Sequence, residues 1–379
     1  MTTALEREIE ARRLEISADS VSMSVTELSN LYRERVLIIR PEFQRLFRWS
    51  AEQKSRLVES ILLGIPLPSI FVSQSLDGKW ELVDGLQRVS TILELQGLLP
   101  ALGGGDPAPP FVLGSTKFLP SLENHSWTGH GGSLPLTEAQ KLDIRLARLD
   151  IRVIKRSSDP KAKYDLFQRL NSFGSALTAQ EIRSAMMAGL NYEALRWITE
   201  LAKAPAFTSC ISLNERQREE QYDIELVLRF MMLHDLPEAS RTRLADFPAK
   251  LDDWAANLAE TFEATSPALE SSFDRTFTYL AEAGNENLFR RWDAGRREFR
   301  GGFLNTAYEV IAVGAGYWVA RGEDPRPDPE EAARELSLAL SSSSRFATGL
   351  ATADRLVKTI PLGRKLMGNP PEPITADDL

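Results

Sequence analysis

Trp80-Glu-Leu-Val-Asp-Gly-Leu-Gln-Arg88, continuing from Val89 to Leu98, decides the fold of the N-terminal half. Trp80–Val83 has the β-branched and aromatic character of a strand, and Ser69-Ile-Phe-Val-Ser73 before it reads the same way. Asp77-Gly78 between the two is a hairpin signal. Apolar spacing after Arg88 turns helical, so strand, tight turn and helix follow one another. That order builds a corner in which the first amides of a helix face outward and suit an anion. Gly85 permits the tight turn and a close backbone approach to a ligand. Arg88 falls in the first helical turn, where a cation opposes the helix dipole unless an anion is near. Asp84 has three readings: a helix cap, a partner that orients Arg88, or a Mg²⁺ holder through water.

Upstream, a short charged helix is expected over 5–17, and Ser24-Val-Thr-Glu27 is a capping box that opens another. Val36-Leu-Ile-Ile39 reads as a strand. Ser50-Ala-Glu-Gln53 caps a helix whose apolar positions Leu57, Val58, Ile61 and Leu62 lead to Gly64. Between that strand and that cap lies Arg40-Pro-Glu-Phe-Gln-Arg-Leu-Phe-Arg-Trp49, with arginines suited to paired hydrogen bonds with phosphate. Residues 33–56 hold seven basic and three acidic side chains. Phe43, Phe47 and Trp49 equally suit core anchors, with the arginines as solvated neighbours.

Downstream, Gly103-Gly-Gly-Asp-Pro-Ala-Pro-Pro110 marks a loop insertion near 100–135, and Gly129–Gly132 is a second flexible patch. A cap at Thr137, a strand over Asp150–Ile154 and a helix over Pro160–Leu170 follow. Phe167-Gln-Arg-Leu-Asn-Ser-Phe-Gly174 then leads into Leu177-Thr-Ala-Gln-Glu-Ile-Arg183. There Asn171 and Gly174 suit a helix end, and Thr178 with Glu181 forms a capping box. The stretch 141–170 is the second basic patch, nine basic side chains against four acidic. Beyond Thr178 the apolar spacing is helical almost throughout. The expected fold is α+β: a mixed domain over 1–188, an all-helical domain over 189–368, and a disordered acidic, proline-rich tail over 369–379.

The whole chain has 379 residues, formal net charge −8 and one cysteine, Cys210. An intramolecular disulfide and a multi-cysteine zinc site are excluded, and a reducing compartment is expected. No run approaches the roughly 18 apolar residues of a membrane span, and Met1–Glu15 lacks the apolar core of a secretory signal, so a cytoplasmic protein is expected. The charge divides unevenly: residues 1–190 carry 23 Lys/Arg against 22 Asp/Glu, the rest 22 against 31. An anionic ligand is therefore sought in the N-terminal half. Neither a Walker-type loop nor a GxGxxG after a strand is present. Of the three histidines, His125 and His130 lie in the glycine-rich region without neighbouring carboxylate pairs that would suit a nuclease, and His234 stands at a helix end.

The series FQRLFRW, strand–DGLQR–helix and FQRLNSFG…LTAQEIR, in that order over about residues 20–190, resembles the N-terminal domain family of GmrSD-type restriction systems. That family is similar to ParB and sulfiredoxin domains. The resemblance implies a ParB/sulfiredoxin-like domain that binds, and in the family hydrolyses, a nucleoside triphosphate with Mg²⁺ in defence against foreign DNA. Carried onto this chain, it implies catalytic roles for Asp84, Gln87 and Arg88, nucleotide contacts from Gln44, Arg45, Arg48, Gly85 and Asn171, and the metal at Asp84. Two positions depart: Leu86 replaces the first glutamine of the family's DGQQR, and Leu46 replaces its usual proline. Leu86 cannot hydrogen-bond a base, a ribose or an attacking water. Residues 191–379 contain one histidine, too few for the HNH nuclease often fused behind this domain, so a separate nuclease or other defence subunit is the expected partner, with a homo-oligomer as another. The alternatives are a DNA-binding module using the same arginines on backbone phosphates and a degenerate scaffold.

Overall fold

The computed structural model describes residues 3, 5, 18–39, 49–75, 77–100, 109–155, 178–238, 244–283, 285–342, 351–375 and 378. Apart from Leu5, which is helical, the expected helices over 5–17 and 160–170 lie outside the described residues, as do Gln44, Arg45, Arg48 and Asn171. The chain divides into two compact units, Met1–Ala176 and Leu177–Leu379.

The first unit is a mixed five-stranded sheet with helices. Strand β1 (Ala18–Ser24) runs directly into α1 (Val25–Arg33), and Ser24 with Glu27 closes the capping box between them. β2 (Leu37–Ile38), α2 (Ala51–Leu62), β3 (Ile70–Gln74), β4 (Trp80–Asp84) and α3 (Leu86–Leu95) follow in turn. A short parallel pair, β5 (His125–Ser126) with β6 (Leu134–Pro135), precedes α4 (Glu138–Leu146) and β7 (Arg148–Ile154). The sheet order is β1-β7-β3-β4-β2. β7 pairs antiparallel with β1 and parallel with β3, and the hairpin β3–β4 joins them to parallel β2.

Alternation in β7 explains the layering: Leu149, Ile151 and Val153 are buried, whereas Arg148, Asp150 and Arg152 are exposed. The buried set joins Ile70, Val72 and Leu82 of the hairpin and the apolar faces of α1, α2 and α3 in one core. α2 is also stapled to the loop after residue 109 by polar groups. The Ser55 hydroxyl accepts from Gly114 N at 2.8 Å, and the buried Glu59 carboxylate accepts from Phe118 N at 2.7 Å and Leu119 N at 3.0 Å. The Thr116 hydroxyl, ahead of those two amides, holds the Glu59 carboxyl below the usual carboxylate range despite burial. The glycine patch expected to be flexible carries buried polar contacts: the Ser126 and Ser133 hydroxyls lie 2.7 Å apart, and the Ser126 oxygen accepts from Gly129 N and His130 N.

The second unit is helix-rich. Its helices are α5 (Ala179–Leu190), α6 (Tyr192–Leu201), α7 (Pro205–Cys210), α8 (Glu215–Glu219), α9 (Tyr222–Leu233), α10 (Phe247–Glu260) and α11 (Phe262–Ala283). A two-stranded ribbon, β8 (Arg291–Asp293) with β9 (Glu298–Arg300), interrupts them, a feature the helical reading does not anticipate. α12 (Asn305–Ala307) continues through a π turn (Tyr308–Ala312) into α13 (Val313–Ala320), and α14 (Pro329–Ser342) and α15 (Thr352–Leu366) complete the unit. A Cβ on Gly314 would press into the carbonyl of Gly363, and one on Gly363 into the carbonyl of Val310. The absence of side chains there lets α13 and α15 meet backbone to backbone. After α15 the chain folds back: Glu372 N donates to Lys365 O at 3.0 Å, and Lys365 pairs with Asp378 at 2.7 Å. Among the described residues no helix is long and apolar enough to cross a membrane.

Two outcomes follow from this packing. Gly314→Ala should lower unfolding stability by about 1–3 kcal/mol through overpacking, measured by urea denaturation. Because the folded Glu59 carboxyl titrates below its unfolded value, its contribution is full above the ordinary carboxylate range and disappears as pH falls through the folded pKa. The stability gap between the parent and Glu59→Gln should therefore narrow on acidification; a gap constant with pH would refute this.

Candidate functional site

β4 ends at Asp84, opposite Phe71, where the register shifts between Phe71 and Val72. Gly85 follows with φ 95° and ψ 16°, left-handed backbone that a Cβ strains. A Cβ there would also meet Ile70 Cγ1 at 3.0 Å and the Arg88 guanidinium at 3.4 Å. Glycine is thus required twice, by conformation and by space. α3 starts at Leu86 with Gly85 as its N-cap, and no side chain caps it. The first turn of the helix and the positive end of its dipole therefore lie at this corner without a capping side chain.

Asp84 does not cap this helix. Its carboxylate accepts from Arg88 Nη2 at 2.9 Å, the second of the three readings, and their side chains are 26% and 13% exposed. Arg88 Nη1 donates in addition to the carbonyl of Pro68 and, at 3.2 Å, to that of Ser69. The arginine at an electrostatically unfavourable helix position is therefore compensated by a carboxylate and two carbonyls just before β3. Burial pulls its pKa below the ordinary arginine value, with Asp84 opposing that pull. Gln87 also turns to the protein: its Oε1 accepts from Trp49 N at 3.1 Å. Leu86 is half-buried against the core.

Asp84, Gly85, Gln87 and Arg88 thus share one turn. Gln44, Arg45 and Arg48 of the first motif lie outside the described residues, and only its last member, Trp49, is seen to reach the turn. Asn171 also lies outside them. Sequence reasoning missed the carbonyls of Pro68 and Ser69 and the bond to Trp49. The Asp84–Arg88 pair was detectable from its four-residue spacing, but no sequence pattern announces a backbone acceptor.

Among the described residues no three His, Cys, Asp or Glu side chains gather to hold a metal. Elsewhere, burial pushes the Cys210 thiol up to about 11, which keeps it protonated and unreactive. His234 stacks on Phe230, and burial holds its imidazole below the ordinary value.

Residues 25–98 match the family described as GmrSD restriction endonuclease, N-terminal domain. The matched span runs from α1 to just beyond α3 and contains the whole corner, so the GmrSD-type match and the geometry single out the same segment. It points to a restriction-system-related role. No curated protein and no solved structure matches the chain.

Replacing Arg88 with alanine should do more than remove a surface charge. Asp84 and two strand-entrance carbonyls would lose their donor, so unfolding stability should fall by about 1–3 kcal/mol, read from urea denaturation. An unchanged midpoint would show that the bonds to Pro68, Ser69 and Asp84 carry no weight.

Proposed function

We propose that this chain is a nucleotide-binding subunit of a restriction-type defence system, and that the Asp84–Arg88 turn receives the phosphates of a Mg²⁺-bound nucleoside triphosphate. The observation that supports this best is the uncapped first turn of α3 behind a left-handed glycine. Helix-start amides suit phosphate oxygens, and the left-handed backbone of Gly85 makes the turn that places them at the end of β4. Arg88, held beside them, adds positive charge without a flexible side chain having to be ordered on binding. A single carboxylate suits Mg²⁺, which keeps waters and takes further ligands from phosphates; Asp84 would hold it there, and the ion would neutralise phosphate charge. Gln44, Arg45, Arg48 and Asn171 are assigned to the same ligand by family resemblance alone. Occupancy would be passed to a partner nuclease, another defence subunit or a second copy of the chain.

A DNA-contacting reading draws on Arg148 and Arg152, exposed on the outer side of β7, although Asp150 lies between them. The two readings separate in one experiment on the full chain. Mg²⁺ with each of the four NTPs is titrated while thermal unfolding is followed, and duplex DNA is titrated at several salt concentrations. A bound nucleotide at 100 times its Kd should add about 2.7 kcal/mol of stability. No shift with any NTP would overturn the nucleotide reading, and DNA affinity falling steeply with salt would then favour the alternative.

A further inference from the structure

The side chain of Gln87 leaves the same helical turn that lies at the corner, yet its oxygen is bonded to the backbone of a residue 38 positions earlier. We propose that Gln87 is a positioning residue: it fixes Trp49, and with it the start of α2, against the phosphate-receiving turn. This deepens the nucleotide reading and rests on it for the ligand's identity.

The chemistry of the contact is specific. A backbone N–H needs an acceptor, so the amide of Gln87 must present its oxygen and not its nitrogen to Trp49. Trp49 is half-buried against the core, so an unsatisfied N–H there would cost stability. It directly precedes Ser50, whose hydroxyl accepts from Gln53 N and whose own N–H donates to the Gln53 side chain. The Gln87 bond therefore anchors the residue just before the N-cap of α2. Further along, Lys54 of α2 pairs with Glu94 of α3 at 2.7 Å, and Ser55 and Glu59 hold the loop at Gly114, Phe118 and Leu119. α2 is thus tied to α3 at both ends of α3, first by Gln87 at the ligand-facing end. A ligand that tightens the first turn of α3 stiffens Trp49 through one hydrogen bond.

The test is hydrogen exchange at the Trp49 amide in the full chain, without ligand and with Mg²⁺ plus each NTP, for the parent, Gln87→Met and Gln87→Glu. Methionine fills similar space without an acceptor; glutamate keeps the acceptor. Without ligand, Trp49 should exchange about tenfold faster in Gln87→Met and at the parent's rate in Gln87→Glu, with the melting temperature lowered in Gln87→Met and close to the parent's in Gln87→Glu. Nucleotide should slow Trp49 exchange in the parent but not in Gln87→Met. Equal Trp49 exchange in the parent and Gln87→Met overturns the proposal, as does ligand-induced slowing that persists in Gln87→Met. So does Gln87→Glu exchanging as fast as Gln87→Met, which would deny the acceptor its role. If the parent responds to no NTP, the nucleotide reading falls, and the ligand-free rates alone decide whether Gln87 braces Trp49.

Discussion

The Arg88 guanidinium holds the N-terminal unit's corner closed. It spans the turn from α3 to the residues just before β3, binding Asp84 at one end of β4 and the carbonyls of Pro68 and Ser69 beyond the hairpin. Gly85 is held to glycine by its left-handed backbone and by Ile70, 3.0 Å from where a Cβ would be, with this guanidinium in contact beside it at 3.4 Å. The left-handed turn, the direction of α3 and the approach of β3 are consequently one arrangement. A cation in the first turn of a helix is unfavourable alone, and here a carboxylate and two carbonyl dipoles offset it. The charge remains near the turn, but part of its hydrogen-bonding capacity is committed to the fold.

The two units stabilise their polar groups differently. In the first, polar side chains work as staples between a helix and a loop or turn, as Ser55, Glu59 and Gln87 do. The helix-rich unit instead buries alternating charges. Arg183, 1% exposed, binds Asp252 at 2.8 Å and lies 3.6 Å from Glu225. Glu225 pairs with Arg229, and Glu309, in the π turn, takes Arg355 at 2.8 Å and Thr359 at 3.1 Å. Desolvation costs are large for such groups, and alternating sign is what makes the row tolerable. The same row penalises any packing that displaces one member, because its neighbours would be left as unpaired buried charges.

Much of this was legible in sequence because the signals are local. Capping boxes at Ser24, Ser50, Thr137 and Thr178 form as spelled, since each needs only residues three apart. The hairpin and the β4–α3 corner follow from Asp77-Gly78 and from Gly85. β1 was not legible: Ala-Asp-Ser-Val-Ser-Met-Ser has few apolar residues, and Val21 stays 39% exposed while Met23 is buried. Such an edge strand is specified by its partner β7, not by its own composition. The contact of α13 with α15 was equally hidden, because Gly314 and Gly363 carry no pattern until two helices bring them together. In the corner, the sequence named the residues but not their directions: side chains read as facing a ligand turn to backbone groups that no sequence displays.

That distinction bears on what the turn can do. Orienting an attacking water needs a polar side chain with free capacity aimed at the phosphate. Leu86 offers none, the Gln87 oxygen is bonded to Trp49, and Arg88 is held by three acceptors. Binding an anion needs only oriented donors and positive potential, which an uncapped helix start and a held guanidinium provide. On the nucleotide reading proposed above, the turn is thus better suited to holding a polyphosphate than to activating water against it.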